Sequence, residues 1–179
     1  MNRAAAAPLM TIKLLGPHSG IGLSIAGVTL LADQLSKLFV LRGLGLRFGE
    51  AMTVTPFLDL VLTFNRGISY GLFPQDGEFG RWFLVALKLA AAALFAYWIA
   101  HTSSRLVAAA LGLLIGGALG NALDRAVYGA VVDFVSLHAF GWRWYVFNLA
   151  DSAIVAGVVG LMYDAVSGHA TKSPPSSGT

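Results

Sequence analysis

Five aspartates stand in or beside apolar runs of a chain that carries few charges: Asp33, Asp124, Asp133, Asp151 and Asp164. Acids in or at the edge of a membrane are candidates for function by default, because an ionised carboxylate in hydrocarbon is costly. A pair of them can do hydrolytic chemistry. Two carboxyl groups held close together without a counter-charge cannot easily both ionise, so they share one proton near neutral pH. The ionised member then takes a proton from water, and the protonated member gives one to a leaving amine.

The neighbours of the five acids separate them. Asp33 has Lys37 four residues on, one helical turn away, which makes a structural ion pair. Asp124 lies in GNALDR, with donors on both sides, and reads as scaffold. Asp164, in MYDAV, is expected at the membrane surface and solvated. Asp133 in VVDF and Asp151 in FNLADSA have no basic residue within four positions. One loop separates them, so both can reach the same membrane edge. Spacing leaves two readings open: a dyad, or two unrelated acids at the ends of spans.

Other constellations are missing. The chain has no cysteine, which excludes disulfides, thiol nucleophiles and thiolate metal sites. His18, His101, His138 and His169 are far apart and match no HExxH spacing. Neither a GxSxG elbow nor a P-loop occurs. No metal and no cofactor is expected.

The elements that must position these acids are apolar. Of 179 residues, 56% are hydrophobic and only 12% charged, against about 25% charged in a soluble domain. Mean hydropathy is +0.71. Four stretches are long enough to cross a bilayer: 21–41, 82–100, 106–123 and 149–166. Trp82, Tyr97 and Trp98 mark the interfaces of the second. HTSSR (101–105) joins the second and third as a hairpin. Gly112, Gly116 and Gly120 strip side chains from one face of the third, which permits close helix contact. The net charge of +3 is spread among scattered basic residues, which fits lipid headgroups and argues against nucleic acid.

Between the spans the pattern changes. Residues 52–65 are β-branched and aromatic and predict one or two short strands. Residues 128–138 read as extended, with Val131, Asp133, Val135 and Leu137 on one face. The segment 42–81 is expected to be a folded β-rich loop outside the membrane, 1–20 a leader and 167–179 a disordered tail, all within one domain. Four spans put both termini on one side, but the count of basic residues on the two sides does not choose an orientation.

Five short motifs occur in order: Asp33 and Lys37 in DQLSK; Asn65, Gly67 and Gly71 in NRGISYG; Gly120, Asn121, Asp124 and Arg125 in GNALDR; Gly129, Val131, Asp133 and Phe134 in GAVVDF; and Phe147, Asn148, Ala150 and Asp151 in FNLAD. Together they resemble lipoprotein signal peptidase (signal peptidase II), the bacterial aspartic peptidase that processes prolipoproteins. Ile68-Ser69-Tyr70 departs from the family's usual filling of the loop motif.

The resemblance implies a membrane fold with a small β insertion: four transmembrane helices, an extracytoplasmic β-cradle and a short periplasmic helix. It implies an inner-membrane location, cytoplasmic termini and an active site at the extracytoplasmic membrane edge. The catalytic aspartates fall on Asp133 and Asp151. The substrate is a prolipoprotein whose cysteine carries a diacylglyceryl group, cut on the amino side of that cysteine. Membrane lipid is the surrounding partner, globomycin the expected inhibitor, and a monomer suffices. Asn65, Gly67, Asn121, Arg125 and Asn148 would bind substrate or support the site, with Asp33, Lys37 and Asp124 as structural polar residues. Two other classes fit less well. A proton-coupled transporter would place its acids near mid-bilayer, and a membrane scaffold would tolerate their loss.

Overall fold

A computed structural model describes residues 15–67 and 77–170. The start of the leader, loop residues 68–76 with Gly71, and the tail beyond 170 lie outside the described residues. Four helices carry the apolar stretches: α1 (Ser19–Leu38), α2 (Glu78–His101), α3 (Arg105–Tyr128) and α4 (Leu149–Ala170). Each is long and apolar enough to cross a membrane. A π-helical turn, Phe39–Gly43, extends α1.

The insertions between spans meet in one antiparallel sheet of order β1-β2-β3-β4, formed by β1 (Ala51–Thr55), β2 (Leu58–Asn65), β3 (Val131–Ala139) and β4 (Trp142–Arg143). The expected strands in 52–65 are β1 and β2, and the extended 128–138 is β3. No separate short helix is found among the described residues. The helices take more of the chain than hydropathy alone assigns. Residues 78–81 of the expected loop belong to α2, 126–128 to α3, and 167–170 of the expected tail to α4. Hydropathy fades at polar residues, but helical hydrogen bonding runs on until a residue stops it. Gly129 stops α3: its φ of 74° is left-handed, and its N–H reaches the Arg125 carbonyl at 3.1 Å.

Helix α3 lies at the centre. Some 72% of its apolar window is buried, against 17–28% for the other three spans. Small residues allow this. A Cβ on Gly116 would lie 2.7 Å from the Ala26 carbonyl oxygen of α1, and one on Gly157 of α4 would lie 2.7 Å from the Ala110 carbonyl oxygen of α3. Backbones that close gain dispersion contacts that a larger residue would forbid. Ala26, Ala92, Ile99, Val107, Leu111, Leu114 and Ile115 fill the core of the bundle.

The sheet sits on the end of the bundle where α1 and α3 finish. Val40 of the π-turn packs against Leu62, Val132 and Phe134. Strand β3 is buried on both faces at its start and opens to solvent at Leu137. The outer sheet is pinned by Asp59. Its carboxylate accepts from Thr53 Oγ1 at 2.9 Å and Arg143 Nη1 at 3.1 Å. The Thr53 hydroxyl, then His138 and Arg143, hold that carboxyl below its ordinary range against the opposing effect of burial. Phe147 closes the frame by pairing with Val135: its N–H donates to the Val135 carbonyl at 3.0 Å.

Replacing Gly116 by leucine should force α1 from α3 and lower stability by about 1–3 kcal/mol or more. Thermal unfolding in detergent reads this out, and an unchanged Tm would contradict the close crossing.

Candidate active site

The site is built where β3 leaves α3 and where α4 begins. Gly129 turns the chain, Val131 starts the strand, and Asp133 points inward, 1% exposed. Strand β2 lies alongside with Thr63 opposite Asp133. Two residues further along β2, Asn65 Nδ2 donates to Asp133 Oδ2 at 3.2 Å. Asn65 also folds its own loop, since its Oδ1 accepts the Gly67 N–H at 3.1 Å.

Asp151 comes from the first turn of α4, and the motif around it is a reciprocal helix cap. Asn148 precedes the helix. Its Oδ1 accepts the Asp151 N–H at 3.0 Å, and its own N–H donates to Asp151 Oδ2 at 3.3 Å. That leaves the Asn148 amide nitrogen free to reach sideways, and it donates to Asp133 Oδ1 at 2.6 Å. One buried asparagine therefore bonds to both acids. Asn121 of α3 completes the ring: its Nδ2 donates to Asp151 Oδ1 at 2.8 Å, and its Oδ1 accepts from Asn148 at 3.2 Å.

Behind this ring lies a second polar cluster, fully buried among the spans. Lys37 Nζ is 2.7 Å from Asp33 Oδ2 and 2.7 Å from Asp124 Oδ2. It also donates to Asn121 Oδ1 at 3.3 Å. Gln34 Nε2 bridges the carboxylates, 3.1 Å from Asp33 and 3.0 Å from Asp124. The partners of Asp124 thus come from α1 and from the Val132 N–H of β3 rather than from its neighbours in GNALDR. Arg125 turns the other way and holds the loop, donating from Nη2 to the Gly67 carbonyl at 2.8 Å. Its buried Nε has no hydrogen-bond partner among the described residues.

A cavity of about 200 Å³ opens beside Asp151, lined by Asn65, Asn121, Arg125 and Asp151 on its polar side and by Leu84, Leu87 and Val131 on its apolar side. Lys88 of α2 lines it too. The Asp133 carboxyl is pushed up to about 7, first by burial and then by the nearby charge of Asp151. Hydrogen bonds from Asn65 and Asn148 and the charge of Lys37 oppose the rise. The arrangement provides one carboxyl that holds a proton near neutral pH next to a second carboxyl, with a cavity for a substrate. No group of three or more His, Cys, Asp or Glu able to hold a metal ion is present among the described residues.

The residues singled out in the sequence occupy one end of the bundle, with the exception of Asp164. That acid is not simply solvated. It is half-buried and accepts from Ser104 Oγ at 2.8 Å, at the start of α3 and the opposite end from the site. Three contributors carry weaker sequence signals. Gln34 is marked only by its place between Asp33 and Lys37. Lys88 is marked as a cation inside a span. Arg81, which donates to the carbonyls of Arg125 at 2.8 Å and Ala126 at 2.6 Å, reads from sequence as one more flanking base. The N-x-x-D spacing of Asn148 and Asp151 is a cap signal in its own right.

Fold and site together define a class: a multi-pass membrane protein with a buried polar site of paired acids where its helices end. The chain belongs to the signal peptidase II family of peptidases, whose family model, described as Signal peptidase (SPase) II of the group Peptidase_A8, matches residues 25–167. A lipoprotein signal peptidase of Methylobacterium radiotolerans is 54% identical over 159 residues, covering 88% of this chain and 93% of the relative. One from Rhodopseudomonas palustris is 47% identical over 170 residues, covering 92% and 100%. A solved bacterial membrane enzyme superposes with a TM-score of 0.77 at 25% identity, covering 89% of this chain and 95% of that one.

The raised Asp133 carboxyl carries a stability signature. Between its ordinary 3.8 and about 7 the folded protein binds a proton that the unfolded chain has lost. Stability should therefore fall as pH rises through that window, by up to about 1.4 kcal/mol per pH unit. Asp133→Asn should flatten the profile. Thermal unfolding of both proteins from pH 4 to 8 checks this, and parallel profiles would refute it.

Proposed function

We propose that the chain removes the signal peptide from prolipoproteins whose cysteine carries a diacylglyceryl group, cutting on the amino side of that cysteine with Asp133 and Asp151 as an aspartic dyad. The observation that carries this reading is the bonding of both carboxyl groups to Asn148. It holds two acids from different elements to one residue, Asp133 to its side-chain amide and Asp151 to its backbone N–H. Like charges so placed favour a state with a single shared proton.

In that state Asp133 holds the proton and Asp151 is ionised. Asp151 takes a proton from a water molecule whose oxygen attacks the scissile carbonyl carbon. Asp133 protonates the departing amine as the carbon–nitrogen bond breaks. Asn121 and Asn148 keep the Asp151 oxygens oriented, and the Arg125 guanidinium, which lines the cavity, is a donor for a substrate carbonyl. Leu84, Leu87 and Val131 give the cavity an apolar wall toward the spans, suited to a substrate anchored in lipid. Globomycin would occupy the same cavity and block the dyad. Every group invoked comes from one chain, so a monomer suffices.

Sheet, cavity and both acids lie at one end of the spans, with the start of α1 and the end of α4 at the other. We place that end outside the cytoplasm, in the membrane that receives lipidated precursors. Since the chain has no cysteine, single cysteines report on sidedness. A membrane-impermeant thiol reagent should label cysteine at Phe140 in intact cells, and cysteine at Thr102 only after lysis. The reverse pattern would overturn the orientation.

Asp133→Asn and Asp151→Asn should each lower cleavage of a lipidated precursor by about 10²–10⁴-fold while the protein stays folded in the membrane. Full turnover by either variant would remove the dyad. The pH profile of kcat/KM should be bell-shaped, with its alkaline limb near 7 as the shared proton is lost.

A further inference from the structure

We propose that the buried cluster Asp33–Lys37–Asp124 positions the two catalytic carboxyl groups, each acid of the cluster holding the backbone one residue before one member of the dyad. The proposal rests on the dyad reading above. Asp33 Oδ1 accepts the N–H of Ala150 at 2.9 Å, and Ala150 precedes Asp151. Asp124 Oδ2 accepts the N–H of Val132 at 3.1 Å, and Val132 precedes Asp133. Lys37 lies 2.7 Å from each acid and so sets the distance between them.

A cluster that only neutralised buried charge would need no bond to the site. This one bonds to both of its segments. The Ala150 N–H is one of the unpaired donors at the start of α4, so Asp33 of α1 shares the capping of that helix with Asn148. Val132 lies at the start of β3, where α3 hands the chain to the sheet, so Asp124 ties strand to helix. Lys37 adds a third link through Asn121, whose amide reaches Asp151. Two acids on separate elements thereby take their spacing from one ammonium group. A rigid supporting set of this kind typically changes activity more than substrate binding.

The test uses the full chain in detergent or bilayer, with two readouts. In amide hydrogen exchange, Asp124→Ala should expose the Val132 amide and leave Ala150 protected. Asp33→Ala should do the opposite, and Lys37→Met should loosen both. In cleavage assays on a diacylglyceryl-modified precursor, each variant should lower kcat about 10–100-fold with KM within about twofold. Asp33→Val and Asp124→Val, which keep side-chain bulk but carry no acceptor oxygen, replace the alanine variants if those do not fold. The same crossed exchange pattern is expected of them. Equal exposure of both amides in either variant, or no exposure, would overturn the proposal, as would an unchanged kcat. A wild-type protein that cleaves nothing, with the crossed pattern still seen in the variants, would instead overturn the peptidase reading alone.

Discussion

Three charged side chains, Asp33, Lys37 and Asp124, are shut inside an apolar bundle, and most of the architecture follows from the need to satisfy them. Hydrocarbon provides no hydrogen bonds, so every donor and acceptor in the cluster must be met by protein. One lysine stands between two carboxylates, 2.7 Å from each, and Gln34 and two backbone N–H groups take most of the remaining acceptor capacity. Removing one partner of such a buried set strands a charge and costs about 3–5 kcal/mol. The cluster therefore fixes where α1, α3, β3 and α4 stand relative to one another.

That closeness depends on α3 being narrow. Its glycines let the backbone of α1 approach, and Gly120 stands where a side chain would collide with the Asp33 carboxylate. Packing and electrostatics are thus coupled: a bulkier α3 would open the bundle, let the ion pairs lengthen and loosen the start of α4. Small residues in a membrane helix are usually read as a device for association alone. Here they also bring the buried charges within reach.

The sheet completes a graded environment. Toward the spans, the polar groups are dry and paired. Toward β2 and β3, Asn65, Asn121 and Asn148 supply neutral amides, which orient carboxyl oxygens without the strong ionising pull of a nearby cation. Burial can therefore raise the Asp133 carboxyl while the frame of hydrogen bonds keeps it in place. Arg125 is the cation beside them. Two of its nitrogens are engaged by the carbonyls of Gly67 and Asn121, so it serves the loop as much as the acids.

Much of this protein could be read from the order of its residues. Length and hydropathy dictate four spans, because a bilayer admits few other ways to bury so apolar a chain. β-Branched and aromatic residues in 52–65 and the extended pattern of 128–138 mark the strands, and the charge-free neighbourhoods of Asp133 and Asp151 separate them from Asp33. The spacing of Asn148 and Asp151 also writes a helix cap into the sequence. Helix ends were less legible, since hydropathy stops at polar residues that hydrogen bonding still includes, as at 167–170. Only the tertiary structure decided which groups meet. Asp124 looks to Lys37 across 87 residues of chain rather than to Arg125 beside it, and Asp133 and Asp151 share Asn148 because β3 and α4 converge there. Sequence fixes chemistry and local period, but contacts between distant segments follow from how closely the helices can pack.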